Sequence, residues 1–401
     1  VSEVIENFFA SCPKGSEEFL AKEAKALGLS GEMAQGGIAF SSPIWMALEL
    51  MIRSGVASRV MREIATYPVH YPKDIHTGAV KLPWTEILDV EQTIKVSTIF
   101  DPKAKALFKN SVLTAQILKD AVADHFRNAI GRRPNVDLRH PDVSLVLRIE
   151  TGSTGGLIAR VLIDMCGEPL SQRGIRLSGH DAPLRENLAA ALVRSTDWKP
   201  ESEPLIDPLC GSGTILIEAF ILQNNIPPSF WRLKALREHS FACLSQLWFT
   251  NRNDTKWDEL YARALSDGER GLANPVIGKL VGHDINPRVL EATKKSLRSA
   301  GIPLEAIILR PADARSLNPL VPGPGVVLTN PPYGERMGEQ EEALELYSEI
   351  GENLKKNFKG FRAYLLAPHG DFKKVISLRT SQKLQFWNGD IECRLLKYDL
   401  F

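Results

Sequence analysis

Four short apolar runs in the second half of the chain each stop on a polar side chain: "PLID" (204–207), "KLVGHD" (279–284), "AIILRPAD" (306–313) and "GVVLTN" (325–330). Helical patterns fall between them. A chain with this alternation reads as a parallel, doubly wound sheet with helices on its faces, and ligands of such sheets sit at the carboxyl ends of the strands. The polar residues that end the four runs are therefore expected to share one edge of the sheet.

The residues immediately after each run carry the chemistry. The first run continues as "DPLCGSGTILIEA", 207–219. Gly211 and Gly213 permit a tight turn and close approach of a ligand to the backbone, with Ser212 between them and a helix opening near Thr214. No Lys-Ser/Thr stands at the spacing of a phosphate-binding P-loop, and the full G-x-G-x-x-G is absent. Asp207, directly before the turn, can hold an ammonium group. The second run ends at Asp284, followed by Ile285 and by a helix with Pro287 near its start. An acid there can accept hydrogen bonds from a ribose diol, or simply cap the helix. Asp313, followed by Ala314, stands where a carboxylate can accept from an adenine amino group.

The fourth run leads into "NPPY": Asn330, Pro331, Pro332 and Tyr333. An exocyclic amine on a base is conjugated with its ring, which makes its lone pair a poor nucleophile. The Asn330 side-chain oxygen and the Pro331 carbonyl can accept its two N–H bonds and aim the lone pair at an electrophile. The prolines stiffen the turn, and Tyr333 offers a face on which an extruded base can stack.

Taken together, these residues resemble the class I S-adenosylmethionine-dependent methyltransferases that methylate amines. The resemblance makes Asp207, Gly211, Ser212, Gly213, Thr214, Asp284, Ile285, Asp313, Ala314 and Asn330 the cofactor site, and Asn330 to Tyr333 the catalytic motif. S-adenosyl-L-methionine is the cofactor it implies, with no metal. Asp207 and Asp284 lie 77 positions apart, where about 20 is usual. The surplus, roughly 223–273, contains Trp231, Trp248 and Trp257, reads as helical, and is taken as a packed insertion.

The first 166 residues mix short strands and helices in an α+β pattern. "PKGSEEFLAKEAKALGL" is spaced as a helix burying Phe19, Leu20, Ala24 and Leu27, and "IAF" is a short strand after Gly36 and Gly37. "SPIWMALELMIRSGVASRVMREI" reads as helical throughout, with a break at Gly55. "TIKVSTI", "VSLVLRIE" and "GLIARVLI" read as strands. Between them lies an amphipathic helix with Val112, Ile117, Ala121 and Phe126 on one face and Gly131 as its stop. "CPKGSEEFLAKEAKALG", "GGIAF" and "VLIDMCGEPLSQRGIR" resemble a ferredoxin-like segment followed by a THUMP domain. With "APLRENLAAALV" and "NPPYGERMG" added, nearly the whole chain resembles the bacterial 23S rRNA guanine-N2 methyltransferases.

The resemblance implies four parts: a ferredoxin-like segment (1–60), a THUMP RNA-binding domain (61–166), a linker (167–182) and a Rossmann-like methyltransferase domain (183–401). Because the Gly turn and its sheet come after Gly167, a fragment of 171–401 is expected to fold alone. In some relatives such a unit precedes a second methyltransferase that modifies a guanine at N7; ending at Phe401, this sequence is expected to represent the N2-type unit alone. The RNA partner it implies is 23S rRNA or a large-subunit precursor. Lys109, Lys119, Arg127, Arg132, Arg133 and Arg139 are expected to contact its phosphates.

Charge distribution fits that partner. Net charge is only +1, yet 103–148 carries nine Lys/Arg against four Asp/Glu, and 355–383 carries eight against one. No apolar run approaches the roughly 20 residues that span a bilayer. The acidic N-terminus lacks the pattern of a signal peptide. The five scattered cysteines form no C-x-x-C pair, so a cytoplasmic protein without zinc or disulfides is expected. The alternatives are a tRNA guanine-N2 methyltransferase and, from another class, a non-catalytic RNA-binding ribosome-assembly factor.

Overall fold

The computed structural model describes residues 3–175, 184–333, 339–368, 370 and 372–401. The N-terminal half begins with β1 (Glu6–Ser11), α1 (Glu17–Ala26), β2 (Gly31–Ala34), β3 (Gly37–Ser42), α2 (Ile44–Arg53) and β4 (Arg59–Pro68). It continues with α3 (Pro72–Ala79), α4 (Trp84–Ile87), β5 (Ile94–Phe100), α5 (Pro102–Phe108), α6 (Ser111–Ile130), β6 (Val143–Thr151) and β7 (Leu157–Asp164). Its seven strands form one sheet, ordered β2-β3-β1-β4-β7-β6-β5. β4 joins the ferredoxin-like part to the rest, pairing with β1 on one side and β7 on the other.

β4 corrects an expectation, because "RVMREI" is a strand and not the end of a helix. Periodicity cannot separate the two for a short apolar run. Here Val60 and Met61 are both buried, which suits a central strand covered on both faces. The α6 helix is capped at both ends: the Asn110 side chain accepts from the Leu113 N–H at 3.0 Å, and Gly131 ends it at φ 73°. Leu118, Ala121, Val122 and Phe126 are its buried stripe, whereas Val112, expected on that face, is 67% exposed. It sits in the first turn, where it lines a groove beside β5.

The C-terminal half contains α7 (Glu186–Ser195), β8 (Leu205–Asp207), α8 (Thr214–Gln223), α9 (Phe230–Leu236), α10 (Leu247–Thr250), α11 (Trp257–Ala273), β9 (Leu280–Asp284) and α12 (Pro287–Ser299). Then come β10 (Ile307–Pro311), β11 (Gly325–Thr329), α13 (Glu339–Asn357), β12 (Phe361–Pro368), α14 (Phe372–Val375), β13 (Thr380–Asn388) and β14 (Ile391–Asp399). The sheet order is β10-β9-β8-β11-β12-β14-β13. The first five strands are parallel, as the four apolar runs require, and β14 and β13 close the sheet as an antiparallel hairpin.

The insertion, α9 to α11, is helical and wedged against the N-terminal half. Arg232 is 5% exposed and its guanidinium donates to the carbonyls of Ser240, Cys166, Glu168 and Pro169. Arg62 lies over the Trp248 ring at 4.7 Å, and Arg53 pairs with Asp267 at 2.6 Å. The expected linker is also packed as far as Ile175. Arg173 is 1% exposed, pairs with Glu218 of α8 at 3.0 Å and donates to the Gly55 carbonyl at 2.6 Å. Residues 176–183 of that stretch lie outside the described residues.

Candidate active site

The carboxyl ends of β8, β9, β10 and β11 lie side by side, and the register places Asp207 beside Gly282 and Asp284 beside Pro311. The polar residues that end the four apolar runs thus share one edge. Asp207 is 2% exposed, and its carboxyl accepts from the Leu209 N–H at 3.2 Å. Burial pushes it up to about 7; the Thr329 hydroxyl and the Leu209 amide partly offset this, and the charge of Asp284 adds to it. A buried, weakly ionised acid beside a Gly turn is suited to a cationic partner.

The turn after Asp207 is built for close approach. Gly211 and Gly213 have φ of 51° and 77°, and the Gly213 N–H donates to the Cys210 carbonyl at 2.7 Å. A Cβ at Gly213 would stand 2.9 Å from the Thr293 methyl, so helix α12 packs too tightly for any side chain there. Thr293 donates to the Gly211 carbonyl at 2.9 Å and holds the turn from behind. The Ser212 and Thr214 hydroxyls are 3.0 Å apart at the start of α8.

Asp284 is partly exposed, and among the described residues its Oδ1 accepts only from the Asn286 N–H, at 2.8 Å. The cap of α12 is Asn286, whose side chain accepts from the Arg288 N–H at 3.0 Å ahead of Pro287. That role, readable from "NPR", was the alternative for Asp284. Ile285 is 62% exposed. Asp313 is held by Arg315, whose Nε and Nη2 donate to it at 2.9 and 2.7 Å, and this ion pair lowers its pKa. Asp313 thus already has a partner, one that the pattern of strand ends does not reveal. Ala314 is buried, its carbonyl accepting from Asn353 at 3.0 Å.

Asn330 comes directly after β11. Its Oδ1 accepts from the Tyr333 hydroxyl at 2.6 Å, so the ring folds back onto the Asn that precedes it. Pro331 is buried and Pro332 exposed, while 334–338 lie outside the described residues. The Tyr333 hydroxyl also accepts from Asn388 Nδ2 at 3.5 Å and lies 3.7 Å from Cys393 Sγ. Neither residue was anticipated, because they reach the site from the last hairpin, more than fifty residues downstream. Among the described residues no group of three or more His, Cys, Asp or Glu could hold a metal, and no helix is long and apolar enough to cross a membrane.

A second surface lies at β5, the edge of the N-terminal sheet. A groove of about 500 Å³ is lined by Ile94, Val96, Val112, Ala115, Val136 and Leu138, with Lys119 at its rim. Val112 and Leu138 are each 67% exposed. The nearby cations are not equivalent: Arg132 pairs with Glu91 at 2.5 Å, Arg127 with Asp124 at 3.1 Å and Lys119 with Asp120 at 2.8 Å. Lys109, Arg133 and Arg139 are exposed and make no ion pair among the described residues.

Comparison with known proteins finds three family matches along the chain. Residues 173–397 match the family of RMKL-like methyltransferase domains, 70–155 the THUMP domain and 7–61 the RlmL ferredoxin-like domain. A ribosomal RNA large subunit methyltransferase K/L of Allochromatium vinosum is 34% identical over 98% of this chain and 51% of its own length. The chain spans about half the length of the curated relatives it matches. Among solved structures, SMU.472, in complex with SAH, superposes with a TM-score of 0.76 at 25% identity over 99% of this chain and 98% of its own. A Listeria monocytogenes protein described as a predicted N6-adenine-specific DNA methylase gives 0.78 at 25% identity, over 99% and 97%.

Proposed function

The chain belongs to the RMKL-like methyltransferase family, and we propose that it methylates the exocyclic N2 amine of a guanine in 23S rRNA, using S-adenosylmethionine. The single observation that carries this is the shared edge where Asp207, the Gly211–Gly213 turn, Asp284 and Asn330 meet. The cofactor, when bound, supplies a methyl group on a sulfonium centre. Asp207 holds its ammonium group, the turn accepts close backbone approach, and Asp284 uses its second oxygen for the ribose diol. Ile285 and Ala314 flank the adenine, and Asp313 contacts its amino group by sharing its carboxylate with Arg315.

Asn330 Oδ1 and the Pro331 carbonyl accept the N–H bonds of the target amine, drawing nitrogen towards tetrahedral geometry as it attacks. Their carbonyl oxygens suit a neutral amine with two protons. Transfer breaks the bond between the methyl group and sulfur, and the nitrogen then loses one of its two protons to solvent and keeps the other. The THUMP and ferredoxin-like matches favour RNA over DNA, and the rRNA relatives favour the large subunit. The β5 groove supports a single-stranded segment: apolar walls suit unstacked bases, and Arg133, Arg139 and Lys109 suit the phosphates.

The test is transfer from S-adenosylmethionine to 23S rRNA, read by mass mapping of modified nucleosides. The expected product is 2-methylguanosine. Asn330→Ala is expected to lower kcat about 100-fold or more with cofactor affinity nearly unchanged, the usual loss for one transition-state contact. Most of the wild-type kcat in that variant would remove Asn330 from the chemistry. A methyl group at guanine N7, at adenine N6 or in tRNA would redirect the reading. Calorimetry without cofactor binding would leave an assembly factor.

A further inference from the structure

The last hairpin brings a second carboxamide into line with the first. Asn388 ends β13, one residue before the two-residue turn at Gly389 and Asp390, and its Nδ2 lies 3.5 Å from the Tyr333 hydroxyl. That hydroxyl lies 2.6 Å from Asn330 Oδ1. A phenol has one proton to give. If it accepts from Asn388, its own proton points to Asn330, and the Asn330 amide must present its oxygen to Tyr333. The Cys393 thiol, buried and 3.7 Å away, is a further donor to the same hydroxyl oxygen. Donors from the hairpin thus set the polarity of the chain Asn388 → Tyr333 → Asn330.

The hairpin is placed to do this because its other side is fixed. The Trp387 N–H donates to the Lys14 carbonyl at 3.2 Å, and Lys14 Nζ lies 3.8 Å from the centre of the Trp387 ring. Phe386 stacks on Phe19 at 5.9 Å. Gly15 is required there, since a Cβ would stand 2.2 Å from the Gln385 carbonyl oxygen. The strand that carries Asn388 is therefore held by the N-terminal half.

We infer that Asn388 is a positioning residue for methyl transfer: as a donor to Tyr333 it fixes the orientation of the Asn330 carboxamide, so that the second lone pair of Oδ1 is kept for the target amine. The reverse orientation would turn an N–H donor towards the amine's own N–H. This rests on the proposed role of Asn330 as the amine acceptor.

Polarity distinguishes this from a role in packing. Asn388→Asp is nearly isosteric but can only accept when ionised, so it pulls the Tyr333 proton away from Asn330. Its kcat is expected to fall about tenfold or more, with the KM for RNA and cofactor affinity within twofold of wild type. Asn388→Ala, which removes the donor without reversing it, is expected to lose less. In a Tyr333→Phe background neither change is expected to alter kcat by more than twofold. Selective 15N-asparagine labelling reads the carboxamide without turnover: the Asn330 side-chain signals, identified by their loss in Asn330→Ala, are expected to move in N388D but not when N388D is added to Y333F. Should wild type leave rRNA unmethylated while those signals still move, the functional reading fails and the hydrogen-bond chain stands. A wild-type kcat in N388D, an equal loss in both backgrounds, or unmoved Asn330 signals would overturn the inference.

Discussion

The carboxyl of Asp207 has to be ionised before it can hold a cation, and burial pushes its pKa up to about 7. Cofactor affinity is therefore expected to fall below pH 7, approaching tenfold per pH unit, with proton release on binding that calorimetry in buffers of different ionisation enthalpy can read. The sign for stability is opposite. A raised folded pKa means that the group's contribution is fully present below the unfolded value near 4 and is lost as pH rises to about 7. Asp207→Asn should thus stabilise the fold increasingly between pH 4 and 7, levelling off above, while weakening cofactor binding. A melting temperature difference that does not change with pH would contradict this. Asp284, by contrast, is partly exposed, and one of its oxygens accepts from the Asn286 N–H ahead of α12. Asp284→Ala is expected to weaken S-adenosylmethionine and its demethylated product by about 1.5–3 kcal/mol, the range for charge-assisted hydrogen bonds. RNA affinity should hardly move, and an unchanged cofactor titration would remove Asp284 from the site.

Among the elements, the insertion between α8 and β9 joins the two halves. Its hydrogen bonds converge on Arg232, whose guanidinium satisfies four carbonyls, three of them in the stretch from Cys166 to Pro169. Burial lowers the pKa of this guanidinium, yet its four acceptors keep it in place. Lys cannot span the same fork. Arg232→Lys is expected to cost roughly 2–4 kcal/mol, since each buried acceptor left unpaired costs about 1–3, and to lower the melting temperature by several degrees. An unchanged melting curve would mean that the insertion is not anchored through Arg232. The cations near α6 also differ as elements of the proposed RNA face. Arg132 and Arg127 are already neutralised by acids, whereas Arg133 and Arg139 are not. Charge reversal at Arg133 and Arg139 is expected to weaken RNA binding and to make its salt dependence shallower, by roughly one phosphate contact per residue. A salt slope equal to wild type would place the RNA elsewhere.

At the scale of the molecule, two seven-stranded sheets share one continuous apolar cluster that runs from Phe8 and Leu48 to Phe230, Phe249 and Phe386. Ion pairs cross the same boundary, from Arg252 to Glu6 at 2.8 Å and from Arg194 to Glu23 at 2.6 Å. The expectation that 171–401 folds alone does not fit this packing. Cutting there strips the cover from Trp248, Phe249 and Phe386 and leaves Glu23, Gly55 and Cys166 absent as partners. Such a fragment is expected to melt without cooperativity and to bind cofactor weakly. A sharp two-state melt with wild-type cofactor affinity would show that the halves are independent.

The strand ends were legible because their signal is local. A short apolar run, an acid and a Gly turn dictate backbone and burial within ten residues, so Asp207, Gly213, Asp284 and Asn330 could be named without a structure, and the sheet edge they share came from the alternation of runs and helices. Local signal was also enough for α6 and for the strands β5 to β7. It failed for β4, where six residues satisfy either period and only the neighbours β1 and β7 decide. It was silent on the partners that complete the site. Arg315 on Asp313, and Asn388 and Cys393 at Tyr333, arise from side-chain directions and from a hairpin that returns across the sheet. Sequence by itself determined which chemical groups stand at the strand ends, since that depends on residue type and the short-range rules of turns and strands. Only the tertiary structure decided which of those groups are already engaged, how far Asp207 is desolvated and how the two halves are joined, because burial and hydrogen bonding are set by residues far apart in the chain.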